Sequence, residues 1–415
     1  TPDGMGRIVT MFANDRDTGL PPVEYDAKAA KSSPDFRMQG LPGSEVTIAE
    51  VLKARGYHTV HIGKWHLGNG GEFHPNQQGF DESLLMENLL HLPSDDPDVV
   101  NAKVETDPID KFLWARGDFS TSYNGSELFR PGGYLADYWT DESLKVIEAN
   151  RNQPFFLYLA HWGVHTPLQA TKQDYDAVGD IQPERLRVYA GMLHSLDRSV
   201  GRIVEKLEEE GLAENTMIVF SSDNGAPGYV GLPGLNDPYR GWKLTLFEGG
   251  IRVPMFISWP GHIPAGTRFD TPVAHIDVMP TMAAAAGAPL PEGVEIDGRD
   301  MLPVAMGTGT IERPDDAIFW QSGGYRVVRA GGWKLQVDAK QGKSWLFDLT
   351  TDPTEETNLI DTQPGKAAAL LALLDKHQAG AVPPLYPSTT VNPVALDKTG
   401  ADKAGPEDEY VFWPN

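Results

Sequence analysis

Phe155-Phe156-Leu157-Tyr158-Leu159-Ala160 is an unbroken apolar run of strand length. It ends at the polar stretch His161-Trp162-Gly163-Val164-His165-Thr166-Pro167. A run without polar alternation predicts a strand buried on both faces, as in parallel sheets covered by helices. Thr140, followed by Asp141 and Glu142, predicts the start of the preceding helix, which carries Leu144, Val146 and Ile147. After the run, apolar residues recur every three or four positions from Leu186 through Tyr189, Leu193, Leu196, Val200 and Ile203 to Leu207. That spacing predicts a long helix from Pro183 to Gly211. Upstream, Thr47-x-x-Glu50 is a capping box before Val51 and Leu52, and Tyr57 to Ile62 reads as a strand stopping at Gly63. Met217 to Ser221 and Val253 to Trp259 read as further strands. Helices alternating with buried strands imply an α/β domain with a largely parallel sheet.

The 415 residues carry 35 basic and 58 acidic side chains, a formal charge of −23. Such a field opposes binding to nucleic acid or anionic lipid. No apolar run approaches the ~18 residues needed to span a bilayer. There is no cysteine, which excludes disulfides, thiolate metal sites and a cysteine nucleophile within these residues. The pattern changes near residue 310. Ala317–Trp320, Arg326–Arg329, Trp333–Val337 and Ser344–Phe347 read as an antiparallel meander, followed by a helix from Lys366 to His377. The expected organisation is a large domain over 1–312, a small α+β domain over 313–380, and an extended tail over 381–415 that wraps the surface or a partner.

Three polar clusters follow predicted strands: Gly63-Lys64-Trp65-His66-Leu67-Gly68, the His161–Pro167 stretch, and Ser222-Asp223-Asn224-Gly225. Alone, each reads as a solvated loop or turn. Together they lie where parallel α/β sheets bind ligands, at the C-terminal edge of the strands.

These segments resemble the type I, formylglycine-dependent sulfatases. The carriers are Gly56–Gly68 with its intact GKWHLG core, Gly79-Phe80-Asp81-Glu82, Pro154–Tyr158 leading to His165-Thr166-Pro167-Leu168-Gln169, and Phe220–Gly225. Arg240-Gly241-Trp242-Lys243 with Glu248–Pro254, His275–Thr281 and Leu346–Leu349 complete the match, in family order. The resemblance implies an alkaline-phosphatase-like fold: a mostly parallel sheet sandwiched by helices, with a small C-terminal α+β domain. It implies hydrolysis of sulfate monoesters, aryl sulfates or sulfated sugars, in the arylsulfatase and N-acetylgalactosamine-4-sulfatase-like branch. Family habit implies a periplasmic or secreted location, although no signal peptide is visible.

A sulfate ester spreads negative charge over its oxygens, so its cleavage needs fixed cations and donors there, a nucleophile in line, and an acid for the leaving oxygen. Lys64 and Lys243 match the family lysines that hold sulfate oxygens. His66 matches the histidine beside the formylglycine hydrate, where it assists proton removal and breakdown of the sulfated intermediate. His165 matches the histidine facing the ester oxygen, hence the general acid. Asp223 and Asn224 are hard oxygen donors, suited to Ca²⁺ or Mg²⁺ rather than zinc, and the resemblance points to Ca²⁺. Arg240, Trp162 and Trp242 are candidate substrate contacts. For Arg240 the competing reading is an ion pair, and for the two tryptophans it is packing.

The family's nucleophile signature, Cys or Ser followed by x-Pro-x-Arg, is absent. Ser32-Ser33-Pro34-Asp35 fails because Phe36 comes next and Arg37 is one position late. The family's N-terminal Asp-Asp ligands are also absent. One account covers both: the chain starts after the nucleophile segment and is inactive alone. Alternatives are a phosphonate or phosphate ester hydrolase of the same superfamily, or a non-catalytic sulfated-glycan-binding protein. The tail makes homo-oligomers plausible on this reading.

Overall fold

The computed structural model describes residues 17–34, 38–87, 90–107, 109–116 and 119–414. Asp35, Phe36 and Arg37, which bear on the rejected nucleophile signature, lie outside them. The helix Ile48–Ala54 (α1) opens with the predicted capping box: Glu50 N–H donates to Thr47 Oγ1 (3.2 Å) and Thr47 N–H to Glu50 Oε2 (2.7 Å). It leads into His58–Gly63 (β1). Glu82–Met86 (β2), Thr121–Tyr123 (β3) and Phe155–Ala160 (β4) complete a sheet ordered β3-β2-β1-β4. β1 runs parallel to both β2 and β4, and only β3 is antiparallel. The helix Leu135–Ala149 (α2) lays Leu135 and Trp139 on Val60, Ile62 and Leu84. Each of these buried apolar side chains stabilises the sheet–helix layer by about 1.5–3 kcal/mol.

Helix α2 begins five residues before the predicted start. Thr140 looks like a cap, but its hydroxyl donates to the Ala136 carbonyl (2.6 Å) inside the helix. It also meets Ser199 Oγ at 2.6 Å on Glu184–Glu209 (α3). Small hydroxyl residues at this contact let the two helices approach. The buried face of α3 includes Val188, Met192, Ser195 and Ser199, and Leu193 is 48% exposed. Of the predicted apolar stripe, Tyr189 and Leu207 are buried, whereas Leu193 is not.

Strand β4 is not buried on both faces: Tyr158 is 43% exposed. Among the described residues no strand pairs with its outer edge. Ile218–Ser221 (β5) and Met255–Ser258 (β6) form a separate antiparallel pair, with Phe220 39% and Phe256 66% exposed.

Ala317–Ser322 (β7), Tyr325–Ala330 (β8), Trp333–Asp338 (β9) and Lys343–Asp348 (β10) form the expected meander. The helix Pro364–Gly380 (α4) covers one face through Leu370 and Leu374. The other face receives Leu246 and Phe247 from the large domain, and Leu396 and Val411 from the tail. The tail lies as extended strands on the surface of its own chain. Thr390–Ala395 (β11) and Tyr410–Pro414 (β12) pair antiparallel, and Glu24–Tyr25 adds to β11. Val394 and Trp413, apolar residues of these strands, pack against the sheet core, so the tail folds onto its own chain.

Gly63 ends β1 at φ +107°, and a Cβ there would lie 2.1 Å from the Ala160 carbonyl oxygen. The next residue, Lys64, donates its N–H to that same oxygen (2.8 Å). Gly63→Ala is therefore expected to cost about 2–3 kcal/mol through backbone strain and a broken β1–β4 end. An unchanged urea midpoint would contradict this.

Candidate active site

Lys64 and His66 follow β1, and His165 follows β4. Because these strands are adjacent and parallel, both loops leave the same sheet edge. The first loop is held from beneath: buried His61 meets Ser83 Oγ through Nδ1 (3.1 Å), and its Nε2 donates to the Lys64 carbonyl (3.2 Å). His66 sits at φ +60° and Leu244, beside Lys243, at φ +74°. Non-glycine residues in the left-handed region are held there by their surroundings, and they concentrate at functional sites.

Trp162 lies between the two strand-end loops. Its ring stacks on His165 (centroids 4.1 Å apart), and Lys64 Nζ stands 4.9 Å from its centroid. The ring is 8% exposed. His165 Nδ1 donates to the Thr166 carbonyl (2.7 Å), leaving Nε2 as the nitrogen that exchanges protons. Its own carbonyl accepts from buried His91 Nε2 (2.9 Å).

Asp223 and Asn224 follow β5, and Lys243 lies on the loop before β6. Lys243 N–H donates to the Ala226 carbonyl (3.1 Å), and Gly225 N–H to that of Gly250 (2.9 Å). This places the lysine loop directly on the Asp-Asn turn. The charges act on one another. Burial, joined by Lys243, holds the Lys64 ammonium below its ordinary pKa, with Asp223 opposing. Burial lowers Lys243 as well, against the pull of Asp223 and Asp107. His66 is held down by burial and by both lysines. Burial, then Lys243, brings His165 to about 3. Five predicted residues, Lys64, His66, His165, Asp223 and Lys243, thus lie within electrostatic reach of one another.

Among the described residues no hydrogen bond or ion pair occupies the Asp223 carboxylate. Asn224 commits its Nδ2 to the Gly225 carbonyl (3.0 Å), leaving its Oδ1 open. Two open hard oxygens fit a hard divalent cation by type. Among the described residues no group of three or more His, Cys, Asp or Glu converges to complete such a site.

Arg240 donates to both oxygens of Asp397 (2.6 and 2.5 Å) and to Glu409 (2.8 Å), so its guanidinium is committed to the tail. Trp242 is 8% exposed and packs over Gly228. Sequence reasoning missed Asp107. It is 4% exposed, accepts from Thr166 Oγ1 (2.8 Å) and Ile109 N–H (3.0 Å), and burial raises its pKa to about 6.

The family description "Sulfatase" matches residues 17–288, and "N-sulphoglucosamine sulphohydrolase, C-terminal" matches 240–378. The chain belongs to the sulfatase family. It is 34% identical over 342 residues to N-acetylgalactosamine-6-sulfatase of Mus musculus, covering 80% of this chain and 61% of that one. It is 32% identical over 402 residues to arylsulfatase A of Homo sapiens, covering 87% and 76%. The chain spans about three fifths of the length of the first of these sulfatases. A solved structure, "Crystal structure of Ps i-CgsB in complex with k-i-k-neocarrahexaose", superposes with a TM-score of 0.70 at 29% identity, covering 89% of this chain and 81% of that one. The "putative sulfatase yidJ from Bacteroides fragilis" shares the fold at a TM-score of 0.63 and 20% identity, covering 90% and 84%. The alkaline-phosphatase-like architecture expected from the sequence is the architecture of these sulfatases.

Proposed function

We propose that this chain carries the sulfate-holding and proton-handling groups of a sulfuric ester hydrolase acting on aryl sulfates or sulfated sugars. The observation that carries the reading is that Lys64, His66 and His165, at one sheet edge, act electrostatically with Asp223 and Lys243 from the loops around β5 and β6. Two half-buried ammonium groups, both lowered by that burial and one of them, Lys64, also by Lys243, are costly to the fold, and an anion between them relieves that cost. The local field is positive although the whole chain is acidic.

In this reading Lys64 and Lys243 each hold sulfate oxygens as point charges on flexible stems. Trp162 fixes where the Lys64 ammonium and the His165 ring stand relative to each other. His165 exchanges its proton at Nε2 with the ester oxygen. In the free protein its imidazole is neutral at pH 7, so the acid form has to arise as the anionic ester offsets Lys243. His66, on its strained backbone, handles the proton on the nucleophile's side. Asp223 and Asn224 would hold the divalent cation, whose charge supplies further stabilisation of the sulfate oxygens. The nucleophile is a formylglycine formed from a Cys or Ser signature that these 415 residues do not contain.

The test compares 4-nitrophenyl sulfate with an aryl phosphonate monoester. We expect no turnover from the 415 residues alone. We expect preference for the sulfate from the encoded protein that includes a Cys/Ser-x-Pro-x-Arg segment. Turnover by the 415 residues alone would overturn the assignment of the nucleophile, and preference for the phosphonate would overturn the substrate class.

A further inference from the structure

The large domain meets the C-terminal sheet through a buried ionic knot. Lys334, on β9, places Nζ 2.9 Å from Glu248 Oε1 and 2.9 Å from Glu355 Oε1. All three side chains are at most 2% exposed. Glu355 Oε2 accepts the Glu248 N–H (2.5 Å), and Gln336 Nε2 donates to Glu355 Oε1 (3.0 Å). Glu355 holds φ +62°, a strained value for a residue with a side chain. Tyr325 Oη, bonded to Gln336 (2.5 Å), accepts the Leu246 N–H (3.1 Å).

Glu248 begins the single helical turn Glu248–Ile251, and that turn is where two site loops are packed. A Cβ on Gly249 would lie 2.4 Å from the Gly241 carbonyl oxygen, and one on Gly250 2.2 Å from that of Thr245. A Cβ on Gly225, beside Asn224, would lie 1.8 Å from the Gly249 oxygen. Backbone touches backbone on both sides of the turn, so neither the lysine loop nor the Asp-Asn turn can shift unless Glu248–Gly250 shifts. An apolar plug would make a more stable seam than two carboxylates around one ammonium. What the ionic knot adds is direction, because it fixes Glu248 at one point through bonds of defined length.

We propose that Lys334 is a positioning residue for the sulfate site, holding Glu248 and through it the lysine loop and the Asp-Asn turn together. This rests on the sulfate-ester reading for the identity of the ligand, but the mechanical coupling stands on geometry alone. The C-terminal sheet is then a working part of the site.

The experiment uses the 415-residue chain with Lys334→Met and the milder isostere Glu248→Gln. Amide hydrogen exchange is followed in segments 223–226 and 240–252, and inorganic sulfate affinity is measured by calorimetry. Expected is an exchange increase of about tenfold or more in both segments, with α3 unchanged, together with sulfate affinity weakened by about tenfold. Faster exchange confined to β7–β10, or equal across the chain, or absent from 223–226, overturns the proposal. If Lys334→Met does not fold, Glu248→Gln decides alone. If the unsubstituted chain binds no sulfate, the functional reading falls while the exchange pattern still decides the coupling.

Discussion

Lys243→Ala lowers turnover of an aryl sulfate by roughly 10²–10³ in protein that carries its nucleophile, the usual loss when one preorganised charge on a reacting oxyanion is removed. In the 415-residue chain the same change weakens inorganic sulfate binding. Stability moves the other way. Lys243 is half-buried, its ammonium is held below its ordinary pKa by that burial, and it in turn depresses Lys64. Removing it relieves a like-charge pair, so the thermal midpoint is expected to hold or rise. Activity lost without stability lost separates a functional lysine from a structural one, and matches the trade-off common at strained sites. Lys64→Ala follows the same pattern, and if both lysines act on one sulfate, as proposed, the double variant loses less than the product of the two. A fall in midpoint with proportional loss of activity would mean that Lys243 supports the fold and not the anion.

The second large effect is acid lability. His61 and His91 are 0% and 1% exposed, and burial brings each pKa to about 4. Between their ordinary value near 6.5 and that depressed value, the unfolded chain binds protons that the native chain does not. Stability is therefore full above pH ~6.5 and falls as pH drops toward 4. Each histidine loses roughly 3 kcal/mol over that window at 1.36 kcal/mol per pKa unit. Together this is of the order of half or more of a domain's stability of about 5–15 kcal/mol. His161, near 4, and His165, near 3, both lowered first by burial, act with the same sign. Asp107, raised to about 6 by burial, opposes them, since its native carboxyl gains a proton first. Urea midpoints at pH 7.5, 6.0 and 5.0 check this. A flat profile across that range would refute the burial of neutral histidines, and His91→Gln is expected to flatten it in part.

The site was legible where strand ended and polar loop began, because a change from an apolar run to Lys64, His165 or Asp223 is a local signal. Pairings across the chain were not. Asp107 and its partner Thr166 stand 59 positions apart, and an Asp two residues before an amide it caps reads as an ordinary turn. Lys334 alternates with Gln336 and Asp338, which reads as the solvent face of a strand. The structure buries that face under Leu246, Phe247 and the tail, so the polar residues pair internally. Thr140 misled for a related reason: a hydroxyl that caps helices can also bond within one. The tail's folding back depended on a surface made by segments up to 170 residues away, such as Arg240 meeting Glu409.

Among the described residues no strand covers the outer edge of β4, and Tyr158 on that strand is exposed, which bears on handling in solution. An unpaired strand edge offers its amides and carbonyls to any extended chain that meets it. Exposed Phe220 and Phe256 reward such a meeting with apolar contact. The charge of −23 opposes such a meeting, and that repulsion is screened within about 8 Å at physiological salt. Ionic strength therefore acts as the dispersant's dial: dilute buffer keeps the chain separate, while concentrated salt or acid lets edges find one another.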